Sequence, residues 1–252
     1  MLPLGDDVTA VLDRIVTETA ANGRLPSLVG AVFHRGDIRW QGSVGSVGAQ
    51  YRVGSITKTF TAVAVMQLRD DGLIDLGEPI AAHLPDSPHG HRSIRSLLAH
   101  SSGMTAEPAG PWWERTAGLD WPSLAAANTT APAVFAPGQR YHYSNLGFAL
   151  LGQLVAAVRG LSWWDAIVAS IVEPLGLRDT TYYPRDDAAV GTSRDPLTGR
   201  LMAEPATDTG AMAPAGQLWS TSADLGRWAD LLATGHPQVL ARSSLVEMQT
   251  VQ

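Results

Sequence analysis

Apolar residues recur along the chain with two different periods. Val8, Val11, Leu12, Ile15 and Val16 follow Asp6-Asp7 at helical spacing, which predicts an opening amphipathic helix ending near Gly23. The period then shortens. "SLVGAVFH" and "IRWQGSVG" are β-rich runs joined across Arg35-Gly36-Asp37, the pattern of a hairpin. From Thr57 to about Asp71 the apolar positions fall on nearly every face, closed by Gly72, and a helix apolar all round is a buried helix. Further helices are expected at about 92–99, 145–158, 162–173 and 222–233. The stretches 104–122 and 180–215, rich in Pro, Gly, Asp and Thr, read as long surface loops.

Composition narrows the class. With 252 residues, 45% of them hydrophobic, the chain can bury a sizeable core. Its net charge of −6 and its singly spread arginines offer no basic run for nucleic acid or an anionic membrane. The absence of cysteine excludes disulfides, thiolate metal sites and cysteine nucleophiles. The N-terminus carries two early aspartates and does not read as a signal peptide, and no stretch reaches about 18 uninterrupted apolar residues. The expectation is a soluble cytoplasmic protein with neither a nucleic-acid nor a membrane partner.

One residue stands out against this background. Lys58, in "YRVGSITKTFTAVAV", is the only lysine of the chain; every other Lys/Arg position is arginine. In the first turn of a buried helix its amine would be desolvated, which lowers a lysine's pKa, whereas a guanidinium stays charged. Ser55 lies three residues earlier, so hydroxyl and amine share a helix face, and a serine becomes a nucleophile when a neighbouring base takes its proton. The helix start after Gly54 also offers free N–H groups where an oxyanion would form.

A second stretch, "FAPGQRYHYSNLGFALLGQLV", holds Tyr143-Ser144-Asn145 in a turn that runs into an apolar helix. Tyr143 there can relay a proton or share the base role as a phenolate. Asn145 can hydrogen-bond the Lys58 amine or a substrate amide. Trp112 and Trp113, with Trp121, lie on the loop between the two stretches and are candidates for an aromatic substrate pocket. His89 and His91 in "DSPHGHRS" lack an evident third metal ligand, and His100 in "AHSSG" reads as a loop-fixing residue.

Together these stretches resemble the serine β-lactamase-like hydrolases: class C β-lactamases, related D,D-peptidases and esterases of the same fold. The S-x-x-K motif is Ser55 to Lys58, and Tyr143-Ser144-Asn145 stands as the second motif. "LLAHSSGM", "PLGLRDT" and "GQLWSTSADLGRWADLL" are also similar to family segments, in family order from about residue 25 onward. The resemblance implies an α/β (α+β) fold with two parts. An antiparallel sheet flanked by helices would come from 1–58 and 215–252, and a mostly helical part from 59–214. It implies acyl transfer through a covalent Ser55 ester on a small ester, β-lactam or D-amino-acid amide, with Lys58 and Tyr143 moving protons, Asn145 binding substrate, and no cofactor or metal.

The family's third motif, Lys-Thr-Gly or a histidine counterpart on a late strand, has no match. Lys58 is the only lysine, "HGH" at 89–91 precedes the second motif, and "TGH" at 234–236 follows a predicted helix in the wrong order. The expectation is a truncated family member whose sheet lacks its C-terminal strands and is able to self-associate through an uncovered edge. A non-catalytic remnant that keeps the cleft as a binding surface is the alternative.

Overall fold

A computed structural model describes residues 5–250. The opening helix α1, Asp6–Gly23, leads into β1, Leu28–His34, and β2, Asp37–Val44. These two strands pair antiparallel across Arg35 and Gly36, both at positive φ, the conformation that a two-residue hairpin turn requires. Gly30 and Phe33 lie on opposite faces of the hairpin, since side chains alternate along a strand. On the first face a methyl at Gly30 would sit 2.9 Å from Val16 of α1. On the second face a methyl at Gly226 would overlap the Phe33 ring. The opening helix and a late helix therefore cover the two faces. Among the described residues no third strand pairs with this hairpin.

The chain continues through β3, Tyr51–Arg52, and a 3₁₀ turn at Gly54–Ile56 into α2, Thr57–Asp70. As its all-round apolar pattern predicts, α2 is buried: Phe60, Val63, Val65, Met66 and Leu68 are each at most 2% exposed. Two short helices come next, α3, Ile94–Leu98, and α4, Trp121–Asn128, and beyond a long loop the longer α5, Asn145–Arg159. Then come α6, Trp163–Ile167, a π-type turn at Val168–Val172, and α7, Glu173–Leu175. The strands β4, Thr192–Arg194, and β5, Leu201–Ala203, form a small antiparallel ladder. Last are α8, Ala213–Gly216; β6, Trp219–Ser220; α9, Ser222–Thr234; and α10, Arg242–Met248. The fold is α+β. No single helix among the described residues is long and apolar enough to cross a membrane.

The sequence-based loops at 104–122 and 180–215 are corrected in part. The first gives way to α4, whose start is marked by Asp120 accepting from the Ser123 N–H at 2.9 Å and by Pro122 in the first turn. The second contains β4, β5 and α8, elements too short to leave a periodic signal. Of these, the short helix α8 is pinned to the core from two sides. β3 pairs with β6, and the Val53 N–H donates to the Leu218 carbonyl at 2.8 Å, which brings residues 215–218 against the start of α2. Polar residues of α2 then bind that segment: the Thr61 hydroxyl donates to the Pro214 carbonyl at 2.9 Å, and Thr57 Oγ1 accepts from the Leu218 N–H at 3.2 Å.

On its other side α8 packs on α5 at Gly152, where a methyl would sit 1.9 Å from Pro214 Cγ. Gly152→Ala must push α8 away from α5. We expect it to lower unfolding free energy by about 1–3 kcal/mol in urea titrations; unchanged stability would mean that α8 is free to shift.

Candidate active site

Ser55 sits in the 3₁₀ turn that precedes α2, with Gly54 at φ 53° before it, so the chain enters the helix through a left-handed residue. Ser55 is exposed, while Lys58, one turn later, is only 5% exposed. The Lys58 amine is 3.3 Å from Ser55 Oγ, 2.6 Å from Asn145 Oδ1 and 2.7 Å from the Ala215 carbonyl. The Tyr143 hydroxyl donates to Ser55 Oγ at 2.8 Å. Two stretches 88 residues apart thus meet, with Lys58 and Tyr143 on the Ser55 hydroxyl and Asn145 on the Lys58 amine.

The second stretch is held by its middle residue. Ser144 is the N-cap of α5: its hydroxyl accepts from the Gly147 N–H at 3.0 Å and donates to the Thr105 carbonyl at 2.7 Å. Capping therefore falls to Ser144, which frees Tyr143 and Asn145 on either side of it to face Lys58. His100 supports the same turn. Its Nδ1 accepts from the Ser144 N–H at 3.1 Å, and its ring lies 4.4 Å from the Tyr143 ring and 5.0 Å from Phe148.

Burial sets the protonation states. Desolvation brings the Lys58 pKa down to about 8, against the opposing pull of Glu107 and Glu114. About one amine in ten is then neutral at pH 7. Burial raises the Tyr143 hydroxyl above its ordinary value, the bond to Ser55 opposing it, so the phenol keeps its proton at neutral pH and a phenolate is disfavoured. His100, desolvated and close to the Lys58 charge, is lowered to about 4 and stays neutral.

The neutral amine has a fixed orientation. It carries two N–H bonds and one lone pair, whereas Asn145 Oδ1 and the Ala215 carbonyl can only accept. Both N–H bonds are therefore committed, and the lone pair is left to face Ser55 Oγ. The amide of Asn145 cannot turn over, because its Nδ2 donates to Glu107 Oε1 at 2.8 Å. The other oxygen of Glu107 accepts from the Trp113 indole N–H at 2.8 Å. Sequence reasoning misses Glu107, since a lone glutamate in a Pro/Gly-rich loop gives no periodic or motif signal.

The two tryptophan candidates separate. Trp113 is 7% exposed and packs against α8, where a methyl at Gly216 would meet its ring at 3.0 Å. It backs the site through Glu107 and differs from the open pocket wall that its loop position suggests. Trp112 is 61% exposed and stands at a cavity of about 550 Å³ that also touches Tyr51, Arg52, Glu114 and Arg115. The rings of His89 and His91 lie 6.5 Å apart, and no group of three or more metal-ligating side chains occurs among the described residues.

The beta-lactamase family profile matches residues 12–252. The chain belongs to the beta-lactamase family. Among its relatives, the D-alanyl-D-alanine-carboxypeptidase/endopeptidase AmpH of Escherichia coli K12 is 29% identical over 186 residues, covering 70% of this chain and 47% of that protein. Esterase EstB of Burkholderia gladioli is 28% identical over 200 residues, covering 68% and 51%. The structure of a D-stereospecific amidohydrolase from Streptomyces sp. superposes with a TM-score of 0.81 at 31% identity, covering 96% of this chain and 77% of that one. The chain spans about half the length of the curated relatives it matches.

In this beta-lactamase-family chain Glu107 ties the second stretch, through Asn145, to Trp113. Glu107→Ala would leave the Asn145 amide and the Trp113 N–H without their acceptor. We expect a loss of about 1–3 kcal/mol in chemical denaturation; an unchanged midpoint would show that the carboxylate is not holding Asn145.

Proposed function

We propose that this chain is a serine hydrolase that transfers an acyl group through a covalent ester on Ser55. The observation that carries the proposal is the Lys58 amine, buried, lowered to about 8 and directed by two fixed acceptors toward a serine oxygen 3.3 Å away. A general base of that pKa is suited to work near neutrality. An arginine at position 58 would remain charged and could not serve.

The steps follow from the same contacts. Neutral Lys58 takes the Ser55 proton as Oγ bonds to the substrate carbonyl carbon. The developing oxyanion lies near the Ser55 N–H, which donates to no carbonyl in the described structure. The bond to the leaving atom then breaks. The proton taken by Lys58 is returned to that atom, with the Tyr143 hydroxyl as the final donor. Water attacks the ester, again with Lys58 as base, and regenerates Ser55. Asn145 holds the lysine during both halves and has the second hydrogen of Nδ2 left to offer to the substrate.

The substrate class is an ester, a β-lactam or a D-amino-acid amide. Relatives named as a peptidase, an esterase and an amidohydrolase support that range. Trp112 and the cavity beside it, which is lined by Tyr51 and Arg52 of the strand before Ser55 and not by Ser55 itself, are the surface proposed to receive the part of the acyl or leaving group remote from the reacting carbonyl.

The test is intact-mass measurement after exposure to a fluorophosphonate, an activated ester and a penicillin in parallel. One adduct mapped to Ser55 is expected, absent in Ser55→Ala and slowed by about two orders of magnitude or more in Lys58→Arg. Because the base must be neutral, the labelling rate should rise with pH and level off above about 8. No adduct on a folded chain would favour the alternative, a cleft that only binds. Rapid labelling of Lys58→Arg would remove the lysine from its proposed role.

A further inference from the structure

A second cavity, of about 400 Å³, opens on the far side of α8 from the Ser55 site. The helix divides them: the Ala215 carbonyl points to Lys58, while Ala213 and Pro214 line the cavity. Its walls are aromatic. Trp121, Trp163, Trp164, Tyr182 and Tyr183 all border it. Successive rings are inclined to one another rather than stacked. Trp163 and Trp164 are 6.4 Å apart at 46°, Trp164 and Tyr182 6.1 Å at 55°, and Tyr182 and Tyr183 4.8 Å at 67°. The rings therefore point in several directions along one wall of the cavity, with Trp163 in the core and Trp164 and Tyr182 partly buried against it.

One carboxylate stands in the same wall. Asp208 accepts from the Tyr182 hydroxyl at 2.6 Å, the Tyr183 hydroxyl at 2.9 Å and the Gly210 N–H at 2.8 Å. Burial works to raise its pKa, but the donated bonds outweigh it and hold the group below its ordinary value, so it is charged at neutral pH. No lysine or arginine lines this cavity, and Asp208 has no ion-pair partner among the described residues. The electron-rich faces of several rings and an unneutralised carboxylate all favour one kind of guest.

The geometry points to this cavity as a binding site for an alkylated ammonium ion, a quaternary or methylated amine, held by the Trp164, Tyr182 and Tyr183 rings and by the charge of Asp208. Ring faces attract a cation within about 6 Å of their centres, and a methylated ammonium loses little hydration on entering such a site. A volume of about 400 Å³ accommodates a trimethylammonium head with a short arm. This site is separate from the proposed acyl-transfer centre and does not depend on it.

The experiment titrates the full chain with choline and, in parallel, with the neutral isostere 3,3-dimethylbutan-1-ol, at constant ionic strength. Tryptophan fluorescence is the readout, since three tryptophans border the cavity. Choline should give a saturable change with a Kd at least about fivefold lower than the isostere. Asp208→Asn should weaken choline by a similar factor and leave the isostere unaffected. Tyr183, 58% exposed, can be replaced without disturbing the core, so Tyr183→Leu provides a second variant that should also weaken choline. Equal affinity for the two ligands, or no saturable response to choline in the folded wild-type chain, would overturn the assignment.

Discussion

The site is organised by the cost of burying one amine. An ammonium withdrawn from water must be matched by acceptors or lose its proton, and Lys58 lies between these two limits. Its three contacts come from three parts of the chain: the turn before α2, the start of α5 and the end of α8. Each of those elements is held for reasons unrelated to the lysine. Helix α2 is fixed by its apolar faces and by Phe60 stacked on Trp228 at 3.8 Å. Helix α5 is fixed by the Ser144 cap, and α8 by Thr57, Thr61 and the close approach at Gly152. The amine meets a ready-made set of acceptors because the scaffold is rigid before the lysine is considered.

Outside these acceptors lies a further layer that fixes their orientation. Glu107 joins Asn145 to Trp113, and Trp113 packs back on α8 near the Ala215 carbonyl. His100 performs the matching task for Tyr143, neutral and wedged among aromatic rings. Both residues lie on the loop between the two motifs. That loop is a structural partner of the site as well as its border.

Long elements with strong periodicity were legible in the sequence. The all-round apolar run of 57–71 appears as α2, the opening amphipathic pattern as α1, and the alternating runs at 28–44 as the hairpin. Elements of a few residues were not, because β3, β6 and α8 owe their form to tertiary pairing and carry no period of their own. The solitary lysine marks the candidate site in the sequence, and the spacing places Ser55 beside it. The link to Tyr143 and Asn145 came from resemblance. The Ala215 carbonyl and Glu107 were invisible in sequence, since a backbone oxygen has no residue signature and a single loop glutamate has no pattern.

The central claim is that the fold lowers the basicity of Lys58 to the range where it can work as a base. Because this lysine is the only one in the chain, lysine labelled with carbon-13 at Cε gives a single side-chain NMR signal that reports its titration without assignment. The account predicts a midpoint near pH 8 in the folded protein. A midpoint at the ordinary value of about 10.4 would contradict it, since the amine would then be charged throughout the neutral range.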